Sequence, residues 1–179
     1  MKKALCVVLG CVACVMFLLA GCGYTTHSSF ANKYHTVHVL PFYSSIDITR
    51  ESDVGNKYKL YRPGLETDIT KTLTNKFLFD GNVRPADGNS SDLELKGELV
   101  EFRRDPLRYR TNDDVEEYRL NLVVNISLWD KKENKLLWEE KGFTGDTTYF
   151  PAQKSEDAAI KVALDDLASR IVARVVEEW

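Results

Sequence analysis

Cysteine, histidine, methionine and proline are all scarce in this chain: four, three, two and five among 179 residues. The four cysteines, Cys6, Cys11, Cys14 and Cys22, all fall near the start, so everything after position 22 lacks a thiol. That excludes a disulfide framework, a cysteine nucleophile and a thiolate metal site from the rest of the chain. Of the histidines, His27 lies in a polar segment, and His35 and His38 differ in parity, so a strand sends them to opposite faces. There is no glycine-rich phosphate loop, no His-Glu-x-x-His helix and no Gly-x-Ser-x-Gly elbow. Asp113, Asp114, Glu116 and Glu117 lack the spacing of a calcium loop, and the adjacent Asp165 and Asp166 do not face one site on a helix. A basic excess is also missing: 24 Lys and Arg stand against 27 Asp and Glu, for a net charge of -3, which argues against a nucleic-acid binder. No enzyme is expected. Apolar residues, by contrast, make up 44% of the chain and include three Trp, eight Tyr and eight Phe, enough for one compact domain.

The first positions read as an address. Lys2 and Lys3 precede an apolar run over residues 4–20, followed by Leu19-Ala20-Gly21-Cys22. A basic start, an apolar stretch and small residues at a cut point describe an export signal. Seventeen apolar residues sit at the lower edge of what spans a bilayer. Leu-Ala-Gly-Cys resembles the bacterial lipobox, in which the chain is cut before the cysteine and the cysteine is lipidated. The expected organisation is a signal over 1–21, a lipidated tether over 22–34 beginning at Cys22, and a single domain over 35–179. Gly23 stands where Asp would resemble an inner-membrane retention signal, so the expected address is the periplasmic face of the outer membrane. Fully extended, the stretch from Cys22 to His35 reaches roughly 45 Å.

Within the domain, residues 36–42 read as a first strand, and 43–62 follow with no clear period. Pro63-Gly64 opens a helix carrying Leu65, Ile69, Leu73 and Phe77 on one face, and Asp80-Gly81-Asn82 stops it. Leu93, Leu95 and Leu99 alternate with Glu94, Lys96 and Glu98 in a second strand. Tyr118, Leu120, Leu122, Val124, Ile126 and Leu128 share one parity of a third. A polar turn over 130–135 leads into a fourth strand, from Leu136 to about Tyr149. Ser155, a good N-cap followed by Glu156 and Asp157, begins a last helix with Ile160, Leu164, Leu167, Ile171 and Val175 on its apolar face. The expected fold is an α+β two-layer sandwich: two amphipathic helices on a four-stranded mixed or antiparallel sheet, in the order β-α-β-β-β-α. A right-handed crossover makes strands one and two parallel.

This topology gathers Arg103, Arg104, Arg108 and Arg110 on the connection between strands two and three, with Lys154 near the same end and the tether at the other. A cationic pole far from the anchor is one reading, and arginine forks suit phosphate. Glu101, Asp105, Asp113, Asp114, Glu116 and Glu117 lie in the same stretch, so a hairpin laced by ion pairs is the other.

Cys22-Gly23-Tyr24, Val39-Leu40-Pro41-Phe42, Arg62-Pro63-Gly64-Leu65-Glu66 with Asp68 and Thr70, and Leu93-Glu94-Leu95-Lys96-Gly97-Glu98 occur in that order. Arg104-Asp105-Pro106-Leu107-Arg108, Glu117-Tyr118-Arg119-Leu120, Leu137-Trp138-Glu139 and residues 145–149 continue the series. The ordered set resembles the lipopolysaccharide-assembly lipoproteins, LptE. The resemblance implies a non-enzymatic outer-membrane subunit that plugs the LptD β-barrel translocon, helps it assemble and binds lipopolysaccharide. It implies no metal and no cofactor beyond the lipid on Cys22. Carried over residue by residue, it marks Arg110 and Lys154 as lipopolysaccharide-binding, with Arg108 as an alternate and Arg104 and Arg103 in the same cluster. Residues 44–60 form a longer connection than the family pattern. The alternative is a lipid-anchored periplasmic scaffold of a different envelope complex.

Overall fold

A computed structural model describes residues 33–46 and 60–176. The signal, Cys22, most of the tether and the greater part of the stretch 43–62 lie outside the described residues. Within them the order is β1 (Thr36–Val39), β2 (Tyr43–Ser44), α1 (Leu65–Asp80), β3 (Arg84–Pro85), β4 (Leu93–Tyr109), β5 (Val115–Asp130), β6 (Lys135–Tyr149) and α2 (Glu156–Val176).

The sheet has six strands, not the expected four, ordered β3-β1-β4-β5-β6 with β2 also beside β4. The two additions, β2 and β3, are two residues long and too short to carry a period of two. Backbone pairing recruits them: Tyr43 and Ser44 lie parallel to Glu98 and Leu99, and Arg84 and Pro85 parallel to Thr36 and Val37. β1 runs parallel to β4 through Val37 and Leu93, as the crossover rule requires. It ends at Val39 rather than at Phe42. Pro41 has no amide to donate, and Phe42 turns inward over Gly97, where a Cβ would lie 2.0 Å from its ring.

β4, β5 and β6 form an antiparallel meander. Leu120, Leu122, Val124, Ile126 and Leu128 are all buried, as their shared parity indicates. On β4 the parity changes at Val100 and again near the tip, where Pro106 pairs with Tyr118 and Arg108 with Glu117. Leu99 pairs with Val124 and Glu101 with Val123, leaving Val100 as an extra residue, so the buried series runs Leu93, Leu95, Leu99 and then Phe102. Leu65, Ile69, Leu73 and Phe77 of α1 are buried in the same core as Ile160, Leu164, Leu167, Ile171 and Val175 of α2. Gly64 before α1 and Gly81 after it have φ of 83° and 77°, and the Gly81 amide donates to the Phe77 carbonyl at 3.2 Å. The Ser155 hydroxyl accepts from the Ala158 amide at 3.3 Å, capping α2. Both helices begin at the end of the sheet that bears the β4–β5 turn, where Arg62 pairs with Asp157 at 2.6 Å.

The opposite end receives the chain from the N-terminus and is held by two carboxylates. Tyr34, assigned to the tether by sequence, is 4% exposed and donates its hydroxyl to buried Asp130 at 2.7 Å. Asp92 accepts from the amides of His35 and Thr36 and from the Thr36 hydroxyl, and pairs with Lys132 at 2.6 Å. Lys132 and these hydrogen bonds hold the Asp92 carboxyl well below the usual range. At Asp130 burial pushes upward, but hydrogen bonds from the Glu133 and Lys132 amides and Tyr34 outweigh it, and the pKa is lowered.

Candidate functional site at the long hairpin

The expected loop between the second and third strands is itself strand. β4 and β5 stay paired as far as Tyr109 and Val115, so Arg103, Arg104 and Arg108 lie on β4 and only Arg110 falls in the turn. The period of two fades from the sequence there because, beyond Arg104, no described helix covers the sheet and neither face has to be apolar. β6 ends at Tyr149 opposite Tyr118, so residues 107–117 project past its end. The projection is about 15 Å, and the whole of β4 spans about 50 Å from the tether end to the tip. The tip closes with the Arg110 amide donating to Asp114 O at 2.8 Å and the Asp113 amide to Arg110 O at 3.1 Å.

Every arginine of the cluster has a carboxylate partner. Arg103, on the face away from the helices, bonds Asp105 at 2.8 Å and lies 3.2 Å from Glu101. Arg104, on the helix side, pairs with Glu156 in the first turn of α2 and stands 5.1 Å from the Tyr118 ring centroid. Tyr118 stacks on Tyr149 with centroids 5.8 Å apart, and the Tyr149 hydroxyl donates to Glu156 at 3.3 Å. Burial, then the Glu156 charge, push the Tyr149 phenol up. Towards the tip the pairs loosen: Arg108 to Glu117 is 3.6 Å and Arg110 to Glu116 3.9 Å. Both guanidinium side chains are more than half exposed there, at 60% and 55%. Such pairs contribute only about 0–1 kcal/mol each and exchange readily for a better anion.

Lys154 sits in the turn after β6, at the base of the projection rather than beside Arg110, and is half-buried rather than exposed. No ion pair forms at Lys154 among the described residues. The end as a whole is not a cationic pole, because carboxylates are interleaved with the arginines, as the second reading of the charge pattern had it. Two features were not legible in the sequence. The Tyr118–Tyr149 stack depends on cross-strand register. Leu107 and Tyr109, 43% and 53% exposed, interleave with Arg108 and Arg110 to give the tip an amphipathic edge.

Among the described residues no group of His, Cys, Asp and Glu could hold a metal ion, and no helix is long and apolar enough to cross a membrane.

The two-helix, mixed-sheet fold is similar to that of a hypothetical protein from Chlamydia trachomatis, at 14% identity and TM-score 0.54, covering 79% of this chain and 95% of that one. A putative lipoprotein from Caulobacter crescentus matches at 10% identity and TM-score 0.48, over 82% and 92% of the two chains. An uncharacterized lipoprotein B from Nitrosomonas europaea matches at 16% and 0.47, over 80% and 83%. No curated protein matches. The class is a protein of lipopolysaccharide assembly. The lipopolysaccharide-assembly family LptE matches residues 46–175, most of the chain, and the chain belongs to it.

Proposed function

We propose that the protein is the lipid-anchored plug of an LptD-type outer-membrane barrel and meets lipopolysaccharide with the tip of the β4–β5 hairpin. Cys22 carries the lipid and holds the tether end at the inner leaflet of the outer membrane. The projecting tip is the observation that carries the ligand reading: Arg108 and Arg110 sit in long, exposed ion pairs beside exposed Leu107 and Tyr109. Lipid A offers phosphate and acyl chain together, which suits an edge offering guanidinium and apolar surface together. Arg103 and Arg104, in shorter pairs, position the hairpin, and Lys154 stands at its base. The sheet face away from the helices is polar, with Glu98 bonded by Asn125 at 3.1 Å and Asp105 by Asn121 at 3.0 Å. Such a surface suits a water-filled barrel lumen.

Two measurements test this. Affinity purification of the full-length protein from detergent-solubilised outer membrane should bring down a stoichiometric, heat-modifiable β-barrel. Recovery of the protein alone would reduce the role to a scaffold of another envelope complex. The double variant Arg110→Glu/Lys154→Glu should melt like wild type and bind lipopolysaccharide at least tenfold more weakly, about the worth of one charge-assisted contact. Unchanged binding would move the site elsewhere.

A further inference from the structure

α1 obeys one rule until its last turn. Its exposed positions are polar, Thr67, Lys71 and Asn75, while Leu65, Ile69, Leu73 and Phe77 face the core. The last turn then exposes Leu78 and Phe79, at 64% and 84%. Single exposed apolar residues are ordinary, but an adjacent pair this open on a helix end asks for a partner surface.

Their place in the fold says which. α1 starts at the hairpin end and finishes at the tether end. After Gly81 the chain enters β3, where the Arg84 amide donates to the His35 carbonyl at 2.9 Å. Phe79 therefore lies a few residues from the point where the chain arrives from Cys22. The stretch from Cys22 to Lys33, the first described residue, reaches about 40 Å at most. A lipid on Cys22 keeps this end of the domain near one leaflet, and a short tether gives attached groups an effective concentration on the order of millimolar. A contact too weak to bind alone is then populated.

We infer that Leu78 and Phe79 form an apolar foot inserted into the surface of the leaflet that holds the Cys22 lipid. This rests on the lipidation in the proposed function. It gives the domain a second membrane contact beside the acyl anchor, one that fixes its tilt, which a single point of attachment would leave free. The hairpin tip is held at the far end of β4 from that surface.

The test uses the full-length lipoprotein with Phe79→Cys carrying the environment-sensitive fluorophore NBD. Cys22 is the only other cysteine beyond the signal and is blocked by its lipid. The protein is reconstituted into phosphatidylethanolamine–phosphatidylglycerol vesicles with and without nitroxide-labelled lipid. The label at 79 should shift to the blue and lose emission to the nitroxide, while the same label at Tyr109→Cys should stay in water. An unquenched label at 79 on protein whose N-terminal peptide shows the lipid by mass spectrometry overturns the foot and leaves the anchor. A Cys22 without lipid removes both. A blue shift without nitroxide quenching, appearing only when the barrel is added, assigns the foot to the barrel wall and also overturns the leaflet contact.

Discussion

Gly145→Ala is the sharpest test of how the sheet meets α2. A Cβ at position 145 would lie 2.4 Å from Leu167 Cβ, 2.6 Å from its Cα and 2.7 Å from its amide nitrogen. Real carbon contacts sit near 3.5–4.0 Å, so β6 and α2 must part by roughly 1 Å. The obstacle is the backbone of a buried helix turn, which no rotamer change removes. Overpacking of this kind costs about 3 kcal/mol, the upper part of its normal range. In a domain of this size that lowers Tm by about 6–12 °C. Thermal unfolding followed by circular dichroism measures it. Adding Leu167→Ala should not restore stability, since Cβ and backbone remain. Gly97→Ala provides the contrast, because there the obstacle is the Phe42 ring at 2.0 Å. Truncating Phe42 should therefore rescue Gly97→Ala in part, with a coupling of at least about 1 kcal/mol in a double-mutant cycle. A Gly145→Ala domain that melts within about 2 °C of wild type would refute the close approach and the placement of α2 on β6.

Two further outcomes concern the tether end. Tyr34→Phe leaves buried Asp130 short of a hydroxyl donor and should cost about 1–3 kcal/mol by chemical denaturation. Asp92 has a depressed folded-state pKa, so its contribution is complete above the unfolded carboxylate value near about 4 and is lost as pH falls through the folded one. The stability difference between wild type and Asp92→Asn should accordingly be flat around neutrality and shrink in acid; a difference that grows in acid would contradict the assignment.

The helices and the long core strand were legible in the sequence because one face of each must be apolar. Leu65, Ile69, Leu73 and Phe77 carry a helical period, and residues 120–128 carry a period of two. The glycines that bound α1 were legible for a related reason, since a left-handed residue ends a helix most cheaply as glycine. β2 and β3 left no trace because two residues have no period. The true length of β4 was hidden where its surroundings stop being one-sided, so its arginines looked like loop residues. Candidate site residues could be named from composition and family pattern, whereas their partners could not. Whether Arg104 meets Glu156 or Arg110 meets Glu116 depends on register over distances that no local signal encodes.

The extra residue at Val100 has a consequence for the distribution of charge. Up to that point odd-numbered residues of β4 face the helices; beyond it the even-numbered Phe102 and Arg104 do, and Glu101 and Arg103 look the other way. The strand works as a two-position commutator, with Val100 as the switch. One hydrocarbon residue decides that Arg104 is wired to α2 while Arg103 is wired to the outer face. A strand that took Val100 into the ladder instead of bulging it would keep every charge and exchange the two circuits, sending Glu101 and Arg103 under the helices and Phe102 out into water. A chain lacking Val100 would leave both circuits as they are, because Leu99, Glu101 and Phe102 would then alternate without a break.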